Sequence, residues 1–184
     1  MSGPGTCDDR GVAGSNGKQK SVRNMVLSLG VTILAAGVVY LFVPHDDSAP
    51  DLPKVDYRVE LLTARRAASY PVAAPADLPA GWKATSVRFD GQEFDVWHLG
   101  FHTSDGQYVQ VEQSTQKPSA FIDEATQGGE ESTTTRRIDG RTWTRYTGGR
   151  YDALVLEEKG STTVVAGTAS LAQLEEMAGA LKTA

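Results

Sequence analysis

The pattern of apolar and polar positions changes character twice along the chain. Residues 25–43, MVLSLGVTILAAGVVYLFV, run for 19 residues without a charge, a proline, an asparagine or a glutamine. As a helix rising about 1.5 Å per residue the run reaches roughly 28 Å, near the hydrocarbon thickness of a bilayer. Soluble core helices rarely stay apolar on every side for so long. The run therefore predicts one transmembrane helix. From Tyr57 onward short alternating segments take over. They predict strands at 83–89, 95–103, 108–114, 141–147, 152–158 and 162–167. Helices are expected at 57–69, with Val59, Leu62 and Arg66 at helical spacing, and at 118–126, opening on Pro118. A further helix is expected at 170–182. Ser170 and Gln173 have the spacing of a capping box, and Leu171, Leu174, Met177, Ala178 and Leu181 share a stripe. Pro71, Pro75 and Pro79 predict an extended loop, and residues 128–135 read as a flexible surface loop. Together these elements predict an α+β domain, an antiparallel sheet of about six strands with packed helices.

Charge divides the chain at the same places. Residues 1–24 carry Arg10, Lys18, Lys20 and Arg23 against Asp8 and Asp9; residues 44–184 carry 14 basic and 21 acidic groups. Lys18, Lys20 and Arg23 precede the apolar run, and no basic residue follows it until Lys54. The positive-inside rule then places residues 1–24 in the cytoplasm and the rest of the chain outside the cell membrane. Residues 1–24 are too poor in aliphatic groups to offset their chain entropy and read as a disordered tail. Residues 44–56, with three prolines and four aspartates, read as a stiff, solvated spacer. Residues 57–184 form the expected extracytoplasmic domain. A signal peptide cleaved after Gly37, at Ala35-Ala36-Gly37, is the competing reading, although the apolar run continues to Val43. The single cysteine, Cys7, excludes a disulfide framework within the monomer. A net charge of −5 argues against nucleic acid as a partner.

The stretch 97–114 can be read to its register. Trp97, Leu99 and Phe101 alternate with His98, Gly100 and His102, and Val109 and Val111 with Tyr108, Gln110 and Glu112. A two-residue turn at Asp105-Gly106 would set Phe101 beside Gln110 and mix both faces. A three-residue loop, Ser104–Gly106, sets Phe101 beside Val109 and Leu99 beside Val111. One slip flips a whole strand, so the apolar pattern selects the second register. It brings His98 opposite Glu112 and His102 opposite Tyr108, and these four residues form the candidate polar face. Along one strand His98 and His102 stand about 13 Å apart, too far to bind one zinc. No metal site and no cofactor are expected.

No G-x-S-x-G, P-loop, dinucleotide-binding or HExxH motif occurs. Arg65-Arg66 and Arg136-Arg137 could hold an anion but read more simply as solvated or ion-paired surface. Trp82, Trp97 and Trp143 could line a cleft but read more simply as core. The segments LPAGWKATSVR (78–88), WHLGFHT and GQYVQVEQS (within 97–114), DGRTW (139–143) and TTVVAGTAS with QLEEMAGAL (within 162–181) resemble actinobacterial membrane proteins. These are grouped as domain-of-unknown-function family 4245. The resemblance runs from the apolar segment to the C-terminus and implies one N-terminal helix followed by an exported domain. The family carries no agreed activity, so no residue role transfers. The expected function is a non-catalytic binding module of the cell envelope, anchored in the bilayer through residues 25–43. Its partner is an envelope protein or a small ligand. The alternatives are an exported hydrolase using His98 or His102 with a Ser or Glu brought near by the fold, and a small-ligand carrier.

Overall fold

The structure, a computed structural model, describes residues 16–42 and 54–183. Residues 1–15 of the expected tail and 44–53 of the expected spacer lie outside the described residues, as does Val43. The chain divides into two units, Met1–Ser48 and Ala49–Ala184.

The first unit is the helix α1 (Asn16–Phe42). Its segment Val22–Tyr40 is long and apolar enough to cross a membrane, and none of it is buried. Thr32 Oγ1 donates to the Ser28 carbonyl at 2.9 Å, so that hydroxyl is satisfied within the helix. Residues 16–24, expected as unstructured tail, are helical instead. Helix propagation costs far less than nucleation, and Lys, Gln and Arg extend a helix well once the apolar run has started it.

The second unit runs through α2 (Arg58–Ala67), β1 (Ala73–Pro75), β2 (Lys83–Asp90), β3 (Val96–His102), β4 (Tyr108–Ser114) and α3 (Pro118–Thr126). It continues through β5 (Glu130–Ile138), β6 (Arg141–Thr147), β7 (Asp152–Glu158), β8 (Ser161–Gly167), α4 (Leu171–Ala180) and β9 (Leu181–Thr183). Seven strands form one antiparallel sheet in the order β2-β3-β4-β8-β7-β6-β5, and β1 pairs with β9 in a second, two-stranded sheet. The chain is thus α+β, as its pattern predicts. Two layers of core lie on the two faces of the large sheet. On one face Trp97, Leu99, Phe101, Val111, Trp143, Leu154 and Val165 pack with Ala64 of α2 and Leu174 and Met177 of α4. On the other, Phe121, Ile122 and Ala125 of α3 pack on Ala153, Val155, Val164 and Ala166 of β7 and β8. The capping box at the start of α4 is present, with Ser170 Oγ accepting from the Gln173 amide at 3.3 Å.

The hairpin takes the three-residue loop. Phe101 pairs with Val109, His98 with Glu112 and His102 with Tyr108. Thr103 N donates to the Gln107 carbonyl at 2.9 Å, which closes the loop.

Other expectations need correction. Residues 130–138 are a full strand, β5, where a flexible loop begins in the sequence reading. β5 is an edge strand that buries little, so hydrophobic alternation is missing; its β-branched threonines were the remaining signal. Residues 73–75 also form a strand inside the proline-rich loop, with Pro75 opposite Leu181. Proline is tolerated at a sheet edge because no ladder hydrogen bond is asked of it there. The last helix ends at Ala180, and Leu181 reaches the core from β9 rather than from the helical stripe. On α2 the side turned inward carries Leu61 and Ala64; Val59 and Leu62 are 74% and 54% exposed.

Candidate functional site

The site begins with a break in strand alternation. In β2 the apolar residues Ala84 and Val87 are separated by two polar ones, Thr85 and Ser86. Ala84 pairs with Phe101 and Ser86 with Gly100, so Thr85 is an extra residue, a bulge. Bulges re-aim the side chains that follow them. This one turns Ser86 onto the face that carries His98, while Val87 and Phe89 stay packed against the large core.

Three neighbouring strands then place three side chains in line. Ser86 Oγ on β2 lies 3.0 Å from His98 Nε2 on β3. His98 Nδ1 lies 2.8 Å from Glu112 Oε1 on β4. A carboxylate only accepts, so Nδ1 carries the hydrogen and donates it. In the neutral ring Nε2 then holds a lone pair facing the Ser86 hydroxyl. The His98 and Glu112 side chains are 18% and 17% exposed, which shields the pair from full solvation without sealing it.

Tyr108 extends the network. Its hydroxyl shares the space above Gly100 with Ser86 Oγ and donates to Gln110 Oε1 at 3.2 Å. Gln110 Nε2 donates to the Ala125 carbonyl of α3 at 3.0 Å, so the network is fastened to the helix beside it. Burial pushes the Tyr108 phenol pKa up, and the Ser86 hydroxyl beside it opposes this. Gly100 sits beneath the meeting point. A Cβ there would overlap Ser86 Oγ and stand 2.9 Å from Tyr108 Oη. The His102 ring lies against Tyr108, with centroids 5.7 Å apart, and Tyr151 lies 6.0 Å from Tyr108 on another side.

The structure thus brings together His98 with Glu112 and His102 with Tyr108. Ser86 was missed in the sequence reading. The signal that points to it is the Thr85-Ser86 pair between two inward-facing apolar residues, which breaks the period of two. Among the described residues no three His, Cys, Asp or Glu side chains gather as a metal site.

A recess of approximately 310 Å³ borders the network, walled by Arg88, Gln110, Glu112, Phe121, Glu124 and Gln127 among others. A groove of approximately 530 Å³ on the other side of the fold includes Tyr57, Trp82 and Phe101, with Lys54 and Arg58 near them. Trp82 therefore lines a groove, whereas Trp97 and Trp143 are wholly buried in the core. One member of each arginine pair is engaged in structure: Arg136 Nε lies 2.6 Å from Glu175, and Arg65 donates to the Val72 and Lys182 carbonyls at 3.4 Å.

A domain with this α+β architecture and no familiar catalytic motif is placed by its sequence family. The chain belongs to the family described as protein of unknown function, DUF4245, which it matches over residues 18–181. No curated protein and no solved structure matches it.

Proposed function

We propose that this chain is a membrane-anchored domain, held outside the cytoplasm, that binds a component of the cell envelope on the polar half of its sheet. The anchor reading draws on the apolar helix Val22–Tyr40 and on the basic residues before it. The binding reading rests on one observation. α3 packs its apolar side over β7 and β8, whereas β2, β3 and β4 present Ser86, Arg88, His98, His102 and Glu112 on the same face, all half-buried or exposed. Ser86, His98 and Glu112 are already held by mutual hydrogen bonds, so a partner would meet ordered donors and acceptors there at little further entropic cost. The exported-hydrolase alternative gains the Ser86–His98–Glu112 contacts as its own support.

Site-specific photo-crosslinking in intact cells tests the binding reading. A crosslinking residue in place of Arg88, exposed beside the network, is expected to yield a discrete adduct. The same residue in place of Lys159, in the exposed turn between β7 and β8, is expected to yield none. Equal capture at both positions, or none at Arg88, would remove the polar face as the binding surface.

A further inference from the structure

The polar face carries more than binding groups. We propose that Ser86, His98 and Glu112 form a nucleophilic triad that hydrolyses a carboxylic ester, with Tyr108 stabilising the oxyanion. Such triads are recognised by geometry and roles, not by order in the sequence. Here the nucleophile–base separation is 3.0 Å and the base–carboxylate separation 2.8 Å, both within the reach such chemistry needs. Three adjacent antiparallel strands hold them, a more rigid support than loops.

The steps balance without any further reactant than water. Ser86 Oγ attacks the carbonyl carbon while its proton passes to His98 Nε2, and the carbonyl π pair moves onto oxygen. Glu112, a positioning residue, keeps Nδ1 protonated and stabilises the imidazolium. The tetrahedral species collapses, the C–O bond to the alcohol breaks, and His98 returns the proton to the departing alkoxide. Water then attacks the acyl-Ser86 with His98 again taking a proton. The bond from the acyl carbon to Ser86 Oγ breaks, His98 returns its proton to Oγ, and the carboxylic acid leaves.

Gly100 and Tyr108 supply the space and the donor. Without a Cβ at residue 100, Ser86 Oγ and Tyr108 Oη share the space above it. At rest the phenol hydrogen points to Gln110; a developing oxyanion beside Ser86 competes for it. Burial holds the Tyr108 pKa above its ordinary value, so the phenol remains a donor at neutral pH. One phenol stabilises an oxyanion less than a pair of backbone amides, which favours esters over the harder amides. The recess shares Gln110 and Glu112 with the network, and its other walls are mixed, Arg88 and Glu124 beside the apolar Val96 and Phe121. Such a lining fits an ester that carries both hydrogen-bonding groups and a short apolar part.

The inference goes beyond the binding reading, and its failure leaves the crosslinking result untouched. The full-length protein in detergent micelles is treated with a fluorophosphonate probe and digested for mass spectrometry; p-nitrophenyl acetate turnover is followed in parallel. A single adduct at Ser86 is expected, absent in Ser86→Ala. In His98→Gln, with its melting transition retained, labelling should slow by about 100-fold, the scale of a lost general base. Glu112→Gln should slow labelling and displace its pH profile. A folded wild-type protein without an adduct at Ser86 would overturn the proposal. So would an adduct whose rate ignores both pH and His98→Gln.

Discussion

Two glycines show how the same substitution has different physical costs. At Gly167 in β8 a Cβ would overlap the Tyr108 carbonyl oxygen and stand 2.9 Å from its carbon and 3.0 Å from Val109 Cα. These are backbone atoms of the paired strand β4 and cannot step aside without opening the ladder. At Gly100 the obstacles are the ends of the Ser86 and Tyr108 side chains, which can rotate away. Gly167→Ala should therefore destabilise the domain more than Gly100→Ala, whose cost should be about 1–3 kcal/mol, the overpacking range. Gly100→Ala should also displace the His98 imidazole resonances, because Ser86 can no longer hold its place. Urea unfolding and histidine NMR of the two variants check both statements. Asp95 gives a pH prediction. Ser69 donates its backbone N–H at 2.9 Å and its hydroxyl at 2.6 Å to this carboxylate. These bonds, the side-chain one first, hold the Asp95 pKa below its ordinary value of 3.8. A depressed folded-state pKa contributes stability that is complete above the unfolded value and is lost as pH falls through the folded one. Ser69→Ala should thus melt earlier than wild type at neutral pH, with a small gap because Asp95 is exposed to water. The two curves should converge in acid. A gap that persists unchanged below pH 3.8 would contradict this reading of Asp95.

Among the elements, the clearest to read are those whose burial pattern is one-sided. In β3 and β4 large apolar residues recur at every second position from Trp97 to Phe101 and from Val109 to Val111, and the register follows from keeping Leu99, Phe101, Val109 and Val111 together. α4 is similarly legible: its cap is local, and Leu174, Met177 and Ala178 face inward on a common side. Leu174 is fully buried, so Leu174→Ala should cost about 2–5 kcal/mol, the span for a leucine replaced by a cavity. A lower urea midpoint at unchanged slope would report it, and a loss under about 0.5 kcal/mol would show that Leu174 faces solvent, because even a collapsed cavity leaves the lost transfer free energy. α2 is less legible, because Val59 and Leu62 mark a helical period yet lie on its outer side. The stripe that packs, Leu61 with Ala64, is shorter and less apolar than the one that does not. β5 is the extreme case. Its partners lie on one side only, so apart from its β-branched threonines its residues carry no trace of the ladder they join.

At the scale of the molecule, the α1 helix and the folded unit follow different rules. From Met25 onward α1 is apolar all round, and every described side chain from Val22 to Tyr40 is exposed, a surface that water does not tolerate but lipid does. The proposed anchor predicts that reporters fused at residue 5 are active only in the cytoplasm. Those fused at residue 184 should be active only outside. N-terminal sequencing of the mature protein that begins after Gly37 would replace the anchor with a cleaved signal. The folded unit instead distributes its apolar residues over two cores, one on each side of the large sheet. That leaves polar groups concentrated on the part of one face that α3 does not cover, and the proposed chemistry resides there.

The linear pattern alone carried the apolar helix, six of the nine strands among the described residues, the helix at 118–126, the cap at Ser170 and the contact of His98 with Glu112. Each of these depends on residues close in the chain: a period, a cap, or a hairpin whose loop is three residues long. The pairing of β1 with β9, the place of β5 at the sheet edge and the arrival of Ser86 beside His98 came from the assembled fold. In the first two, strands are selected by edges that distant segments leave unpaired, and no local period records that choice. For Ser86, the bulge at Thr85 leaves a faint mark in the sequence. Its effect becomes chemical only when β2 pairs with β3 and the hydroxyl meets the imidazole across the ladder.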